Sequence, residues 1–214
     1  MAQKISDFSS VLYQKLPQMV LGFHGCDKSV ADKVLNSMDE HLEPSQNDYD
    51  WLGDGVYFWL NDPLRAYEWA CQTHDRNPKK IKEPWVIGAV IDLGLCLDLC
   101  ERSSIALVQK GYRVLSAAFA ANGMDLHSQK KNRAPDAGGF NLIRPLDCAV
   151  IQTVHDIVGA EGIFFDTVCG YFQEGEDAFL NAGIKAKSHI QVCVRNRANI
   201  KGYFLPRKIV RSDS

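Results

Sequence analysis

Apolar and polar positions along this chain switch between a period of two and a period near 3.6, and the switches mark out strands and helices. Met19–His24 is a short apolar run that predicts a strand ending in the polar trio His24-Gly25-Cys26. Before it, Ser6 predicts the cap of a helix carrying Phe8, Val11 and Leu12 and closed by Pro17. After it, Ser29 predicts the cap of a helix with a buried stripe of Ala31, Val34, Leu35 and Met38, and residues 39–50 read as a polar loop.

The densest stretch is Trp51–Ala70. Gly53 and Gly55 bracket Asp54 in a tight turn, and Val56-Tyr57-Phe58-Trp59 has the residue types of a half-buried strand. Asp62 and Pro63 then supply an N-cap and a first helical residue, and Leu64, Tyr67 and Cys71 form the expected buried stripe.

Residues 74–84 read as a basic connection and Trp85–Leu93 as a buried strand. Ile105, Val108, Tyr112, Leu115 and Phe119 predict a helix from Ser103 to Ala121. Residues 125–144 form a second long polar connection, of a length that is usually functional or mobile. Pro145 opens a helix striped by Leu146, Ala149, Val150, Thr153, Val154 and Ile157, which ends at Gly159 or Gly162. Strands follow at Ile163–Asp166 and Gly170–Phe172. His189–Arg195 alternates, with Ile190, Val192 and Val194 on one face and Gln191, Cys193 and Arg195 on the other, and Ile200–Leu205 closes the series. About six strands interleaved with four or five helices make the class α+β.

At 214 residues the chain is expected to form a single domain over 1–214 with a loose tail at 206–214. The net charge of −2 provides no global field for nucleic acid or an anionic membrane. No apolar signal core or membrane-length run occurs, so a cytoplasmic location is expected. The 7 cysteines are odd in number and scattered, which suits reduced thiols. Cys96 and Cys100 lack the companions of a tetrahedral zinc site, so no metal is expected.

Several catalytic motifs fail on their residues. Gly53 and Gly55 precede a strand and lack a third glycine, which excludes a dinucleotide-binding turn of the Rossmann kind. Cys26 beside His24 is a weak nucleophile–base pair, and His155-Asp156 reads as a solvated helix face.

Three segments remain: the strand ending GFHGC, the stretch LGDGVYFWLNDPLRAYEWA, and the late strand HIQVCVRN. In that order they resemble the ADP-ribosyltransferase family, in its poly(ADP-ribose)-polymerase and diphtheria-toxin-like branch. The resemblance covers roughly residues 19–70 and 160–205 and implies a split antiparallel β-sheet core with flanking helices. It implies NAD as co-substrate, with His24 on the adenosine ribose and Gly25 pairing its backbone with the nicotinamide carboxamide. Tyr57 would stack on the nicotinamide ring, and Tyr67, one position off the family's second ring, would close the other side or serve as a core tyrosine.

The chain departs from the pattern at Gln191, where a glutamate would stabilise positive charge on the ribose. Glutamine can hold a hydroxyl but supplies no charge, which argues against polymer elongation. Glu174 and Glu176, in the loop before that strand, either supply the missing carboxylate or form a solvated acidic turn. The resemblance therefore implies a mono-ADP-ribosyltransferase acting on a macromolecular acceptor, protein or nucleic acid. The compact form suggests a bacterial or phage-borne toxin or defence effector, with an antitoxin as a further partner. Two alternatives stay open: an NAD glycohydrolase, and a catalytically silent NAD- or ADP-ribose-binding module. The basic clusters Arg76, Lys79, Lys80, Lys82 and Lys130, Lys131, Arg133, Arg144 are either phosphate contacts or solvated loop surface.

Overall fold

The structure, a computed structural model, describes residues 19–136 and 139–207. The helix expected from Ser6 and the tail from residue 208 onward lie outside them. The chain is mixed α+β, with a large, mostly antiparallel sheet flanked by helices. Its strands are β1 (Met19–Asp27), β2 (Val56–Leu60), β3 (Pro84–Asp92), β4 (Cys96–Asp98), β7 (Thr167–Phe172), β8 (His189–Val194) and β9 (Ile200–Phe204). They form a 7-stranded sheet in the order β4-β7-β8-β2-β1-β3-β9, in which only β4 and β7 run parallel. The helices are α1 (Lys28–Leu35), α2 (Pro63–Arg76), α3 (Arg102–Ala121), the short α4 (Leu126–Gln129) and α5 (Pro145–Gly159). A hairpin of β5 (Arg133–Pro135) and β6 (Asn141–Ile143) occupies the connection expected to be loop.

Both faces of the sheet are covered, and the pleat sorts residues between them. One face buries Val56, Phe58, Ile87, Ala89, Ile91, Val192 and Val194 under Ala31 and Val34 of α1 and Leu42. The other packs Phe23 and Trp59 against Ala66 of α2, and Leu97, Val168 and Cys193 against Ile151 and Val154 of α5. The alternation expected for β8 is therefore present.

Helix faces differ from the expected stripes, and in α2 and α3 the reason is close approach, which selects small residues over large apolar ones. In α2, Arg65, Ala66, Ala70 and Thr73 are buried, whereas Leu64 and Tyr67 are 66% and 47% exposed. A Cβ on Gly25 would lie 2.2 Å from the Ala66 carbonyl oxygen and 3.3 Å from the Ala70 Cβ, so β1 and α2 touch through small residues. In α3, Gly111 meets Val154 of α5 in the same way, and Ile105 is 40% exposed. In α5 the buried set is Pro145, Cys148, Val150, Ile151, Val154 and Val158, so Leu146, Ala149, Thr153 and Ile157 give way to neighbours.

Caps shift as well. Asp27, not Ser29, caps α1, accepting from Ser29 N at 3.0 Å. Its other oxygen takes Lys82 N and Glu83 N at 2.6 and 3.0 Å, which ties the α2–β3 connection to the same corner. These hydrogen bonds, that of the Ser29 side chain first, hold the Asp27 carboxyl well below the usual carboxylate range. The helix ends at Leu35, and Met38 is fully in solvent. Ile163–Asp166 is not a strand: Asp166 spends its carboxylate on Leu95 N (3.0 Å) and Asn196 Nδ2 (2.8 Å), and β7 begins after it. Cys96 is buried on β4 while Cys100 is exposed, and all seven cysteines are free. No helix among the described residues is long and apolar enough to cross a membrane.

Candidate functional site

The sheet opens where β1 passes His24. Along its β3 side, β1 is paired over its whole length, from Met19–Asp92 to Asp27–Pro84. Along its β2 side the paired positions are Gly22–Leu60 and Phe23–Trp59. Asn61 N donates to the Leu21 carbonyl at 3.0 Å, so Leu21 directs its backbone polar groups toward β2. In an antiparallel ladder every second residue does the same, which makes Phe23 and then Gly25 the next to face β2. The register would bring Tyr57 opposite Gly25. The Tyr57 carbonyl instead accepts from His24 Nδ1 at 2.8 Å. The ladder stops there, and by the same alternation the buried Gly25 turns its N–H and C=O toward the seam between the two strands, where it has no paired position on β2.

Two sequence features create this seam. Gly25 is the residue on which the α2 backbone rests, so no side chain can fill the space beside it. His24 reaches across and takes the carbonyl that would otherwise zip the strands. Because a carbonyl only accepts, Nδ1 carries the proton. Burial lowers the His24 pKa, against the opposing effect of the Tyr57 hydrogen bond, so the ring is neutral and Nε2 is an acceptor. The ring stands edge-on to Phe58, with centroids 5.9 Å apart, on the face covered by α1. Cys26 shares that face but is buried, and its thiol is pushed up to about 12 by burial, which removes it as a thiolate nucleophile.

Tyr57 lies on the opposite face, half-buried beside Leu52 and Cys193. Its hydroxyl accepts from Leu52 N (3.0 Å) and donates to the Gly53 carbonyl (2.8 Å), closing the Gly53–Gly55 turn expected from sequence. Burial raises its pKa well above the usual phenol value. Gly53 and Gly55 have φ of 80° and 154°, backbone values that L side chains rarely adopt.

Gln191 of β8 stands opposite Trp59 and on the same face. Trp51 Nε1 donates to Gln191 Oε1 (2.8 Å), Gln191 Nε2 donates to His189 Nε2 (3.0 Å), and His189 Nδ1 donates to the Lys187 carbonyl (2.7 Å). Indole N–H only donates, so it fixes the amide orientation, and the amide fixes the histidine tautomer. A glutamate here would leave His189 Nε2 without a donor. Phe172 stacks on His189 at 5.3 Å, Trp51 tilts against Phe172 at 5.0 Å, and Arg144 lies over Phe172 at 4.4 Å. Gly170 permits this, since a Cβ there would come within 2.7 Å of the Trp51 ring.

The loop carboxylates separate. Glu174 is not part of a solvated turn: it is buried, with both oxygens on Arg65 Nη2 at 2.6 and 2.8 Å. Glu176 is exposed, and its carbonyl accepts from Ala186 N within the loop (2.8 Å). Tyr67 is exposed on α2, so its reading as a core tyrosine is overturned. His155 is half-buried against Phe165 and not on a solvated face. The structure thus brings the backbones of Gly25 and Tyr57 side by side, linked through His24 Nδ1, but sends the His24 and Tyr57 rings to opposite faces of the sheet, and it sets Gln191 one strand away. Arg65, Trp51, His189 and Phe172 were missed by motif reading. The one signal for Arg65 was a charge adjoining the small residues Ala66 and Ala70.

Three histidines are held neutral by burial: His24, His189 and His155, the last lowered to about 3 with help from the Arg195 charge. Their folded pKa values lie below the ordinary 6.5, so the unfolded chain binds more protons below that point. Stability is therefore complete above pH 6.5 and falls as pH drops toward the folded values. His155 alone is expected to cost on the order of 1–2 kcal/mol at pH 5. Urea unfolding at pH 7.5 and pH 5 checks this; an equal or higher midpoint at pH 5 would contradict it.

Over 198 residues the chain is 25% identical to the uncharacterized protein MJ0359 of Methanocaldococcus jannaschii, spanning 84% of this chain and 83% of that protein. No protein-family model matches the chain, and no solved structure matches it.

Proposed function

We propose that the protein is an NAD-dependent mono-ADP-ribosyltransferase of the diphtheria-toxin-like branch, and that the seam between β1 and β2 holds the dinucleotide. The observation that carries this reading is the end of the β1–β2 pairing before Gly25, where the ladder's alternation turns its N–H and C=O toward β2 with no paired position there. A primary carboxamide has one donor end and one acceptor end, and this backbone pair complements both. His24 adds a neutral ring whose Nδ1 is already spent, leaving Nε2 to accept a hydroxyl proton of a ribose. The strands named by the three sequence motifs are also consecutive in the sheet, in the order β8-β2-β1.

In the reaction the ribose C1′–nicotinamide bond breaks, nicotinamide leaves with the electron pair, and the acceptor's nucleophile bonds to C1′ and loses its proton. Positive charge develops on the ribose, and a nearby carboxylate would stabilise it. Gln191 supplies none, and Glu174 is paired with Arg65. That commitment favours a second reading, a module that binds NAD or ADP-ribose without turnover.

Nicotinamide release from NAD, with and without cell lysate and with an adenylate label, tests the two. Label on protein or nucleic acid supports the transferase, free ADP-ribose supports a glycohydrolase, and no release supports the silent module. His24→Ala is expected to lower release at least about tenfold, the worth of one desolvated hydrogen bond, while the melt shows a folded protein. Full turnover in that variant would remove the seam as the site.

A further inference from the structure

Arg65 is the one permanently charged cation among the buried described residues, at 6% exposure. A guanidinium cannot shed its charge, and each of its N–H groups needs an acceptor when buried. Glu174 meets Nη2 alone. Nε and Nη1 are buried without an acceptor, and so is Nε1 of Trp59, whose ring lies 5.6 Å below the guanidinium. Trp59 is itself 5% exposed. Unpaired buried donors gathered at one spot are costly to a fold and call for an acceptor-rich partner.

Their place is equally specific. Trp59 sits opposite Phe23 in the last rung before the seam, and Arg65 precedes Ala66, whose carbonyl lies over Gly25. We propose that Arg65, with Trp59 Nε1, is the docking group for the diphosphate of the bound dinucleotide, and that Glu174 is the anion it exchanges. This rests on the seam as the dinucleotide site. The diphosphate is the only strongly anionic part of such a ligand, and its oxygens suit several converging donors.

Glu174 is placed to yield. It sits in the loop between β7 and β8, next to Gly175 with φ 88°. That loop is tied to itself by Lys187 N to the Glu174 carbonyl (3.0 Å) and by Lys185 to Asp177 (2.6 Å), and to the β5–β6 connection by Gly175 N to Asp136 Oδ2 (2.6 Å), a bond of the backbone that leaves the Glu174 side chain free to move. Its carboxylate can leave Arg65 without unpairing β7 from β8. The exchange swaps one charge-assisted contact for another and adds acceptors for donors that have none.

Calorimetry with ADP-ribose and with adenosine, on the wild-type protein, Glu174→Gln and Arg65→Gln/Glu174→Gln, tests the assignment. The wild type is expected to bind ADP-ribose at least about tenfold more tightly than adenosine. Glu174→Gln is expected to tighten ADP-ribose several-fold by removing the competing anion, and the double variant to lose about tenfold or more, with adenosine unchanged in both. Equal binding of the two probes, or parallel changes in both, would overturn the proposal. If a thermal melt shows the double variant unfolded, the Glu174→Gln arm decides, and no gain there overturns it. Arg65-dependent binding of ADP-ribose without nicotinamide release would sink the transferase reading and leave this one standing. Release with Arg65-independent binding would do the reverse.

Discussion

Glu174→Ala is expected to cost the fold about 3–5 kcal/mol, the usual result of stranding one partner of a buried ion pair. The side chains of Arg65 and Glu174 are only 7% and 12% exposed, and Nη2 has no other acceptor. Alanine would leave a guanidinium that keeps its charge and has no counter-ion, over the buried Trp59 ring. The pair itself need not be stabilising. Replacing both members by methionine removes two desolvated charges together and is expected to be near neutral, or stabilising by about 1–4 kcal/mol. The exposed pair Lys33–Glu40, at 2.9 Å and 65% and 38% exposure, is a control whose loss should leave the urea midpoint nearly unchanged. Urea unfolding of the three variants reads all of this. A loss below about 1 kcal/mol for Glu174→Ala would mean that water reaches Arg65, and the buried-donor account of the site would go with it.

The same pair marks the boundary between what the sequence declares and what only the fold assembles. Strands β1, β3, β8 and β9 were legible because period-two alternation and apolar runs are local signals, and Asp62-Pro63 announced α2 for the same reason. The faces of the helices were not legible. Which stripe of α2 is buried depends on Gly25, a residue some forty positions earlier, and the small Ala66 and Ala70 take the contact from Leu64 and Tyr67. His24, Gly25 and Tyr57 stood out through their order along the chain; their strands are neighbours in the sheet, but which face each ring takes was not legible, and His24 and Tyr57 take opposite ones. Gln191 and Glu174 stood out as candidates for the charge-stabilising position, but the groups that hold them did not, since Trp51, His189 and Arg65 each have an ordinary local reading. Trp51 reaches Gln191 across 140 positions, and Arg65 reaches Glu174 across 109. No spacing rule spans such distances.

Gly25→Ala is the second large effect expected, and it bears on fold and site together. A methyl group there would lie 2.2 Å from the Ala66 carbonyl oxygen and 3.1 Å from its carbon, both backbone atoms in the first turn of α2. No rotamer change relieves such a contact, so α2 must move off β1. Overpacking usually costs about 1–3 kcal/mol, and contact with fixed backbone puts this case at or above the upper end. The displaced helix would carry Arg65 away from Trp59 and alter the seam beside Gly25. Nicotinamide release is therefore expected to fall by about a hundredfold or more even where the variant remains folded, because misplacing a site by an ångström is enough for that loss. Gly22→Ala on the same strand is the control. Its methyl group would meet the Ile91 Cδ1 at 2.6 Å and the Phe58 Cβ at 2.7 Å, on the face away from α2. That substitution should lower the urea midpoint while leaving much of the turnover in the folded fraction. Comparable activity in folded Gly25→Ala and Gly22→Ala would separate the α2 contact from function and move the dinucleotide away from Gly25.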